Sequence, residues 1–387
     1  MTLRSKSFNV NLAFSPGFPA ERVDRFFMNK KRIVIYVFVL IVLAVLVYLQ
    51  ARQWRNFDWG RFLDHTRDVT WGHVFRAVVL VYIAYFLRAV RWKLFLRPVR
   101  QDAPTLGLFP PTIIGFTGLA LLGRPGELIR PYLIARRVNL SLSSQLAVWT
   151  VERMFDIGAF TVLMVSAIFL PTTLRDFAAA RPEILRWLYL TGYLLAALVL
   201  GLLLGALLVN YKGPAIASWV ENRFHHLADR LGHRIAQRIR EFAAGLNTIH
   251  SPISFLLITA ASVSMWWCIA LTYREITHAY GAPMRDMSAT RSLLLMGSSM
   301  VGSLLQLPGV GGGSQLATIE AMDKIYHVPS ELAVSCGILL WLVNFMAVVP
   351  MGLFMAHHER ISLRKLSEET EHAEETVTIS PGLPPAR

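Results

Sequence analysis

Apolar residues in this chain are gathered into blocks of about 20, each long enough to cross a hydrocarbon core of roughly 30 Å as a helix. A helix satisfies its own backbone polar groups, which is the condition for a chain segment to sit in lipid. The composition agrees, with 54% hydrophobic and only 17% charged residues against the roughly 25% charged of soluble domains. The fold class read from this is all-α: a polytopic membrane protein with no separate soluble catalytic domain.

Full spans are expected near residues 33–49, 73–96, 145–170, 187–209, 252–273 and 331–356. The first block follows Lys30-Lys31-Arg32 and lacks a small-residue cleavage site after it, so it reads as a retained span and not a signal peptide. Residues 1–29 and 357–387 are polar and rich in turn formers, and both are expected to be mobile cytoplasmic ends of a transmembrane domain covering 30–356.

Two further apolar stretches are interrupted. Residues 110–138 contain Gly123-Arg124-Pro125-Gly126-Glu127, and residues 291–327 contain Pro308-Gly309-Val310-Gly311-Gly312-Gly313. Helix breakers and charges in mid-block predict two short helices around a glycine loop in each case. Irregular backbone at membrane depth is tolerated only inside protein or beside a wet cavity, so the expectation is two re-entrant helical hairpins facing a shared site. With both hairpins re-entrant, the basic segments 4–32, 88–100, 136–137, 212–240 and 360–365 fall on one side, the cytoplasm, although Arg52, Arg55, Arg61 and Arg67 lie in the opposite loop. Each half then reads span, span, hairpin, span, the pattern of an inverted repeat with six full spans in all.

The formal net charge is +14, but the basic residues lie between apolar blocks, where anionic headgroups meet them, and no nucleic-acid-binding motif is present. Membrane lipids are therefore the expected partners and nucleic acid is not. Cys268 and Cys336 both lie in apolar blocks, and no histidines have metal-ligand spacing, so neither a disulfide framework nor a metal or other cofactor is expected. Within 213–250, Leu227, Leu231, Ile235 and Ile239 recur every four residues beside Arg230, Arg234 and Arg238. The pattern predicts either a helix lying on the cytoplasmic surface or a connector packed on the other helices.

Arg124, Glu127 and Arg130 are spaced by three and form one polar stripe if the arm after the break is helical. That arm, with Gly126 at its start, offers amides and a positive dipole to a phosphate or carboxylate. The alternative is an ion pair that only holds the hairpin together. In the next span Glu152, Arg153 and Asp156 add charges in apolar surroundings. Arg153 can reach Asp156 one turn on, and Glu152 then needs Arg124 or Arg130 as its partner. In the second hairpin Ser314 follows Gly311, Gly312 and Gly313 and is suited to cap a helix from Gln315 to about Tyr326, with free amides toward an anion. Close helix packing is the other reading of those glycines. No lysine of the phosphate-loop type follows them, which counts against nucleotide binding.

Gly123-Arg124-Pro125-Gly126-Glu127-Leu128-Ile129-Arg130, then Val151-Glu152-Arg153-Met154-Phe155-Asp156, then the 308–313 loop, resemble the lysylphosphatidylglycerol synthase transmembrane-region family, also described as flippase-like. The resemblance covers about residues 30–356. It implies movement of aminoacylated phosphatidylglycerol or another lipid-linked substrate between leaflets, with aminoacyl transfer belonging to a soluble domain this chain lacks. Leu122 and Gln315 stand where many relatives carry Pro and Glu.

The leading expectation is a lipid flippase or transporter in a bacterial cytoplasmic membrane, not an enzyme, with both termini cytoplasmic. Arg124 and Arg130 would bind phosphate, while Glu127 and Glu152 would orient them or meet a headgroup amine. A membrane-embedded enzyme using Glu127 and Glu152 as acid and base is the alternative, and an accessory subunit for lipid-linked substrates is a third.

Overall fold

The computed structural model describes residues 57–98, 100, 102–171, 182–224, 252–303 and 312–359, and only the backbone of Arg124 and Pro125, of 182–184 and of many residues within 202–224. The expected first span, both chain ends, Gly311 and residues 225–250 of the surface segment lie outside this set. Contacts divide the chain after Phe57, and every described helix belongs to the unit that starts at Asp58.

Among the described residues the regular structure is entirely helical. A short helix α1 (Trp59–Arg67), capped by the Asp58 side chain on the Arg61 amide, leads into α2 (Trp71–Leu96). Then come α3 (Thr105–Leu122), a 3-10 turn (Arg124–Leu128), α4 (Ile129–Val138), α5 (Leu142–Phe169) and α6 (Pro182–Phe224). With α6 the second half begins, and it goes on with α7 (Pro252–Ala279), α8 (Ala289–Ser303), α9 (Gly312–Glu320), α10 (Ser330–Trp341) and α11 (Val348–His358). A π-helical turn joins α10 and α11 into one helix of 29 residues. Among the described residues four helices are long and apolar enough to cross a membrane: Trp71–Leu96, Thr105–Leu122, Pro252–Ala279 and Ser330–His358.

The 110–138 stretch does fold back on itself. Gly123 ends α3 with φ +70, a conformation that only glycine adopts freely. The chain then lays α4 against α3 along a seam of glycines: a methyl group at Gly126 would run into the Gly118 carbonyl, and one at Gly115 into the Arg130 side chain. Asn139, in the left-handed region at φ 53, ends α4, and the Ser141 side chain caps α5. The two arms are unequal, unlike the pair of short helices expected. At 18 residues α3 runs about 27 Å, enough to approach the far side of a bilayer, whereas the ten residues of α4 run about 15 Å.

The second interrupted stretch pairs α8 with α9 in the same way, with Gly302 against the Gly313 backbone. The helix there starts at Gly312, so Ser314 is not its cap. Ser314 sits within the first turn, and its hydroxyl shares a 2.7 Å hydrogen bond with Ser299 of α8.

Packing is reciprocal between the halves. Helices α2 and α7 run antiparallel at the centre, Thr70 N donating to Ala279 O at one end and Arg91 reaching Ser262 at the other. Around them, α3 packs on α2 as α8 packs on α7. Likewise α3 packs on α11, the last helix of the second half, as α8 packs on α5, the last of the first. This reciprocity is what an internal repeat produces. It brings α2, α4, α5 and α7 together at one end of the central pair.

Candidate functional site

Six charged side chains meet where those helices converge. Arg91, on the inner face of α2, is fully buried; its Nη1 donates to Asp156 Oδ1 at 2.6 Å and to Ser262 Oγ at 2.9 Å, and its Nη2 donates to Glu152 Oε1 at 2.6 Å. Arg130 of α4 approaches Glu152 from the other side, Nη1 donating to Oε1 at 3.1 Å and Nη2 to Oε2. Both oxygens of Glu152 are therefore held by arginine, and this carboxylate is itself fully buried. Arg153 lies 3.1 Å from Asp156 Oδ2 and 3.6 Å from Glu152 Oε2, and Arg88 lies 3.9 Å from Asp156 Oδ2.

Aromatic faces support the cations. The Arg130 guanidinium stands 4.5 Å from the Trp92 ring and 5.1 Å from the Phe116 ring, and that of Arg88 stands 4.6 Å from Phe116 as well. Trp92 is fixed in turn, its Nε1 donating to Gln145 Oε1 at 3.0 Å. Close approach of Arg130 is permitted because residue 115 is glycine.

Charge does not balance in this network. Four guanidinium groups surround two carboxylates, and low dielectric makes such an excess costly unless an anion joins it. Arg153 is the exposed member, its side chain 40% accessible where Glu152 has none. It lines a cleft with Gly115, Phe116, Leu119, Glu127, Arg130 and Trp149. Glu127 is half-buried on the wall formed by the 3-10 turn, and among the described side chains no basic group pairs with it. With Glu127 counted, the cleft retains one positive charge in excess.

The expected partnership of Glu152 with Arg130, and that of Arg153 with Asp156, are both present. Glu127 is not paired with Arg130, because Arg130 is turned toward Glu152. Gly126 and Gly313 serve close helix packing rather than facing the cleft. Ser314 faces Ser299, and neither Gly312 nor Gln315 borders the cleft. The second hairpin thus brings neutral hydroxyls where the first brings charge: Tyr273 donates to Ser299 at 2.8 Å, which joins Ser314. Asn344 bonds Leu340 O in its own helix.

Arg88 and Arg91 were expected in a basic segment at the cytoplasmic surface, and they are buried in the network instead. A signal was available: residues three apart share a helix face, and on that face the same block places Ala84, Tyr85 and Trp92. Glu275, near the end of the fifth expected span, accepts from Arg76 Nε at 2.8 Å and lies 2.8 Å from His73 Nδ1, at the end of the α2–α7 pair away from Arg91. Among the described residues no cluster of His, Cys, Asp and Glu has the makings of a metal site.

No curated protein and no solved structure matches the chain. The sequence model of one family does, that of the lysylphosphatidylglycerol synthase TM region, over residues 34–352, a stretch that contains the whole charge network. Taken with helices apolar enough to span a bilayer, the match assigns this chain to the lysylphosphatidylglycerol synthase TM region family, as a multi-pass membrane protein of lipid metabolism or transport.

Proposed function

We propose that the protein moves an anionic or aminoacylated phospholipid, or another phosphate-bearing lipid-linked substrate, between leaflets of a bacterial cytoplasmic membrane, with both termini in the cytoplasm. The carrying observation is the positive excess of a buried arginine network whose most exposed member among the described residues, Arg153, lines a cleft with Glu127. Arg153, with Arg130 behind it, takes the headgroup phosphate in charge-assisted hydrogen bonds. Glu127 and the Trp149 ring stand beside it for a headgroup amine, while acyl chains stay in lipid.

The cleft has interior room of about 20 Å3, enough for a water-sized group. Phosphate entry therefore requires the first hairpin to shift from α5, and such a shift is the movement a carrier needs. In this reading both hairpins re-enter the membrane, the second serving as the neutral counterpart of the first. Two carboxylates acting as acid and base are disfavoured, since Glu152 is held on both oxygens and Glu127 is the single described carboxylate bordering the cleft.

The test is reconstitution of the full chain in liposomes with fluorescently labelled phosphatidylglycerol and bleaching of the outer leaflet. Arg153→Ala combined with Glu127→Gln should lower the flipping rate at least about tenfold, the scale of one lost charge-assisted contact. Flipping at the rate of the unaltered protein rejects the site. Formation of a new lipid species, seen by mass spectrometry, would favour an enzyme.

A further inference from the structure

Helix α5 carries the charge network at Asp156, and four residues further on it carries Phe160. Helix α7 carries Ser262, which meets Asp156 through Arg91, and four residues further on it carries Trp266. The two helices rise in step. One turn beyond the charges, about 6 Å along the axes, Phe160 and Trp266 close the space between them, ring centroids 5.2 Å apart at 57°. One turn further again, Met164 of α5 presses on Gly297 of α8, its Sδ 2.8 Å from where a methyl group on that glycine would stand. The aromatic pair therefore separates the arginine network from the second hairpin.

The polar atoms around this partition are left over. Among the described residues, Trp266 Nε1 is a buried donor with no acceptor, and on the network side Arg91 Nε lacks an acceptor and Asp156 Oδ2 lacks a donor in hydrogen-bonding geometry. Buried indole N–H groups ordinarily find a partner. Held against Phe160, this one is aligned with the single turn that parts the two hairpins.

We propose that Phe160 and Trp266 form a gate on the headgroup route between α5 and α7, and that Trp266 Nε1–H receives a headgroup oxygen as it leaves the arginine network. The proposal rests on the translocation reading above. Rotation of the Phe160 ring opens the partition, and the indole N–H replaces one guanidinium contact with a neutral one. The headgroup is thus not held at the full strength of the charged site.

Full-length protein in liposomes with tail-labelled phosphatidylglycerol separates the two. Trp266→Phe keeps the ring and deletes the donor; it should slow flipping at least about fivefold while binding of dioctanoyl phosphatidylglycerol stays within about twofold. Phe160→Ala should let a bulky headgroup-labelled phosphatidylethanolamine cross at a rate well above that of the unaltered protein. Unaltered flipping by Trp266→Phe, an equal loss of its binding and its rate, or no gain in Phe160→Ala overturns the gate. No flipping by the unaltered protein, or none lost in Arg153→Ala, strikes the translocation reading instead.

Discussion

Arg130 and Glu152 face each other across the boundary between the first hairpin and helix α5, the guanidinium donating to both carboxylate oxygens. A hairpin that bends back at Gly123 is thereby tied to a long helix by a buried ion pair, and Arg91 anchors the same carboxylate to the central helix α2. Structural and ligand-facing roles are divided within one network: Arg91 and Glu152 have no accessible surface, while Arg153 reaches the cleft.

Removing the shared carboxylate is expected to be severe. Glu152→Ala leaves Arg91 and Arg130 buried with an unmatched charge, a loss of about 3–5 kcal/mol for a broken buried pair. Thermal unfolding of the purified protein in detergent checks this. A melting temperature equal to that of the unaltered chain would show the network to be dispensable for folding.

Arg153→Ala should behave differently. Its side chain is partly solvated, so its ion pairs contribute about 0–1 kcal/mol to stability. Folding should be nearly unchanged while flipping in liposomes falls. An unfolded Arg153→Ala protein would make it a structural member like Arg91.

The glycines of the first hairpin and of α5 can be ranked. Gly126→Ala drives a methyl group into the Gly118 carbonyl, a backbone clash expected to cost about 1–3 kcal/mol or to part the arms. At Gly158 of α5 nothing stands in the way, and Ala there should stabilise by about 0.5–1 kcal/mol through the helix backbone. Parallel melting curves of the two variants are the measurement, and a reversed order would contradict the glycine seam.

Membrane topology can be read by single-cysteine labelling in intact cells. The Arg137 Nε lies 3.9 Å from where a methyl group on Gly107 would stand, so the start of α3 and the end of α4 adjoin. Cysteines at Leu106 and Asn139 should react with an impermeant reagent from the same side. Reaction from opposite sides would remove re-entry of the first hairpin.

The places where α3 ends and folds back were legible in the sequence, because Gly123, Pro125 and Gly126 act locally: a backbone that cannot continue as a helix does so in any surroundings. Spacing along one helix also made the Arg153–Asp156 contact legible, and a missing partner made Glu152 reach outside its own helix.

What spacing could not supply was which neighbour arrives. Arg88 and Arg91 look like interfacial basic residues in a linear reading, since their depth depends on α5 and α7 packing over them. Gly312 to Gln315 carry the same glycine-and-serine signature as an anion site, yet the fold turns Ser314 toward Ser299 and packs the Gly313 backbone on Gly302 of α8.

By itself the sequence determined that the fold is helical, that the helix after Thr105 breaks at Gly123 and that charges lie within apolar surroundings, since each follows from backbone and solvation chemistry over a few residues. Only the tertiary structure decided that four arginines converge on two carboxylates and that two of them, Arg130 and the more exposed Arg153, border a cleft. A side chain's electrostatic surroundings are set by helices distant in the chain, and no local pattern encodes their arrival.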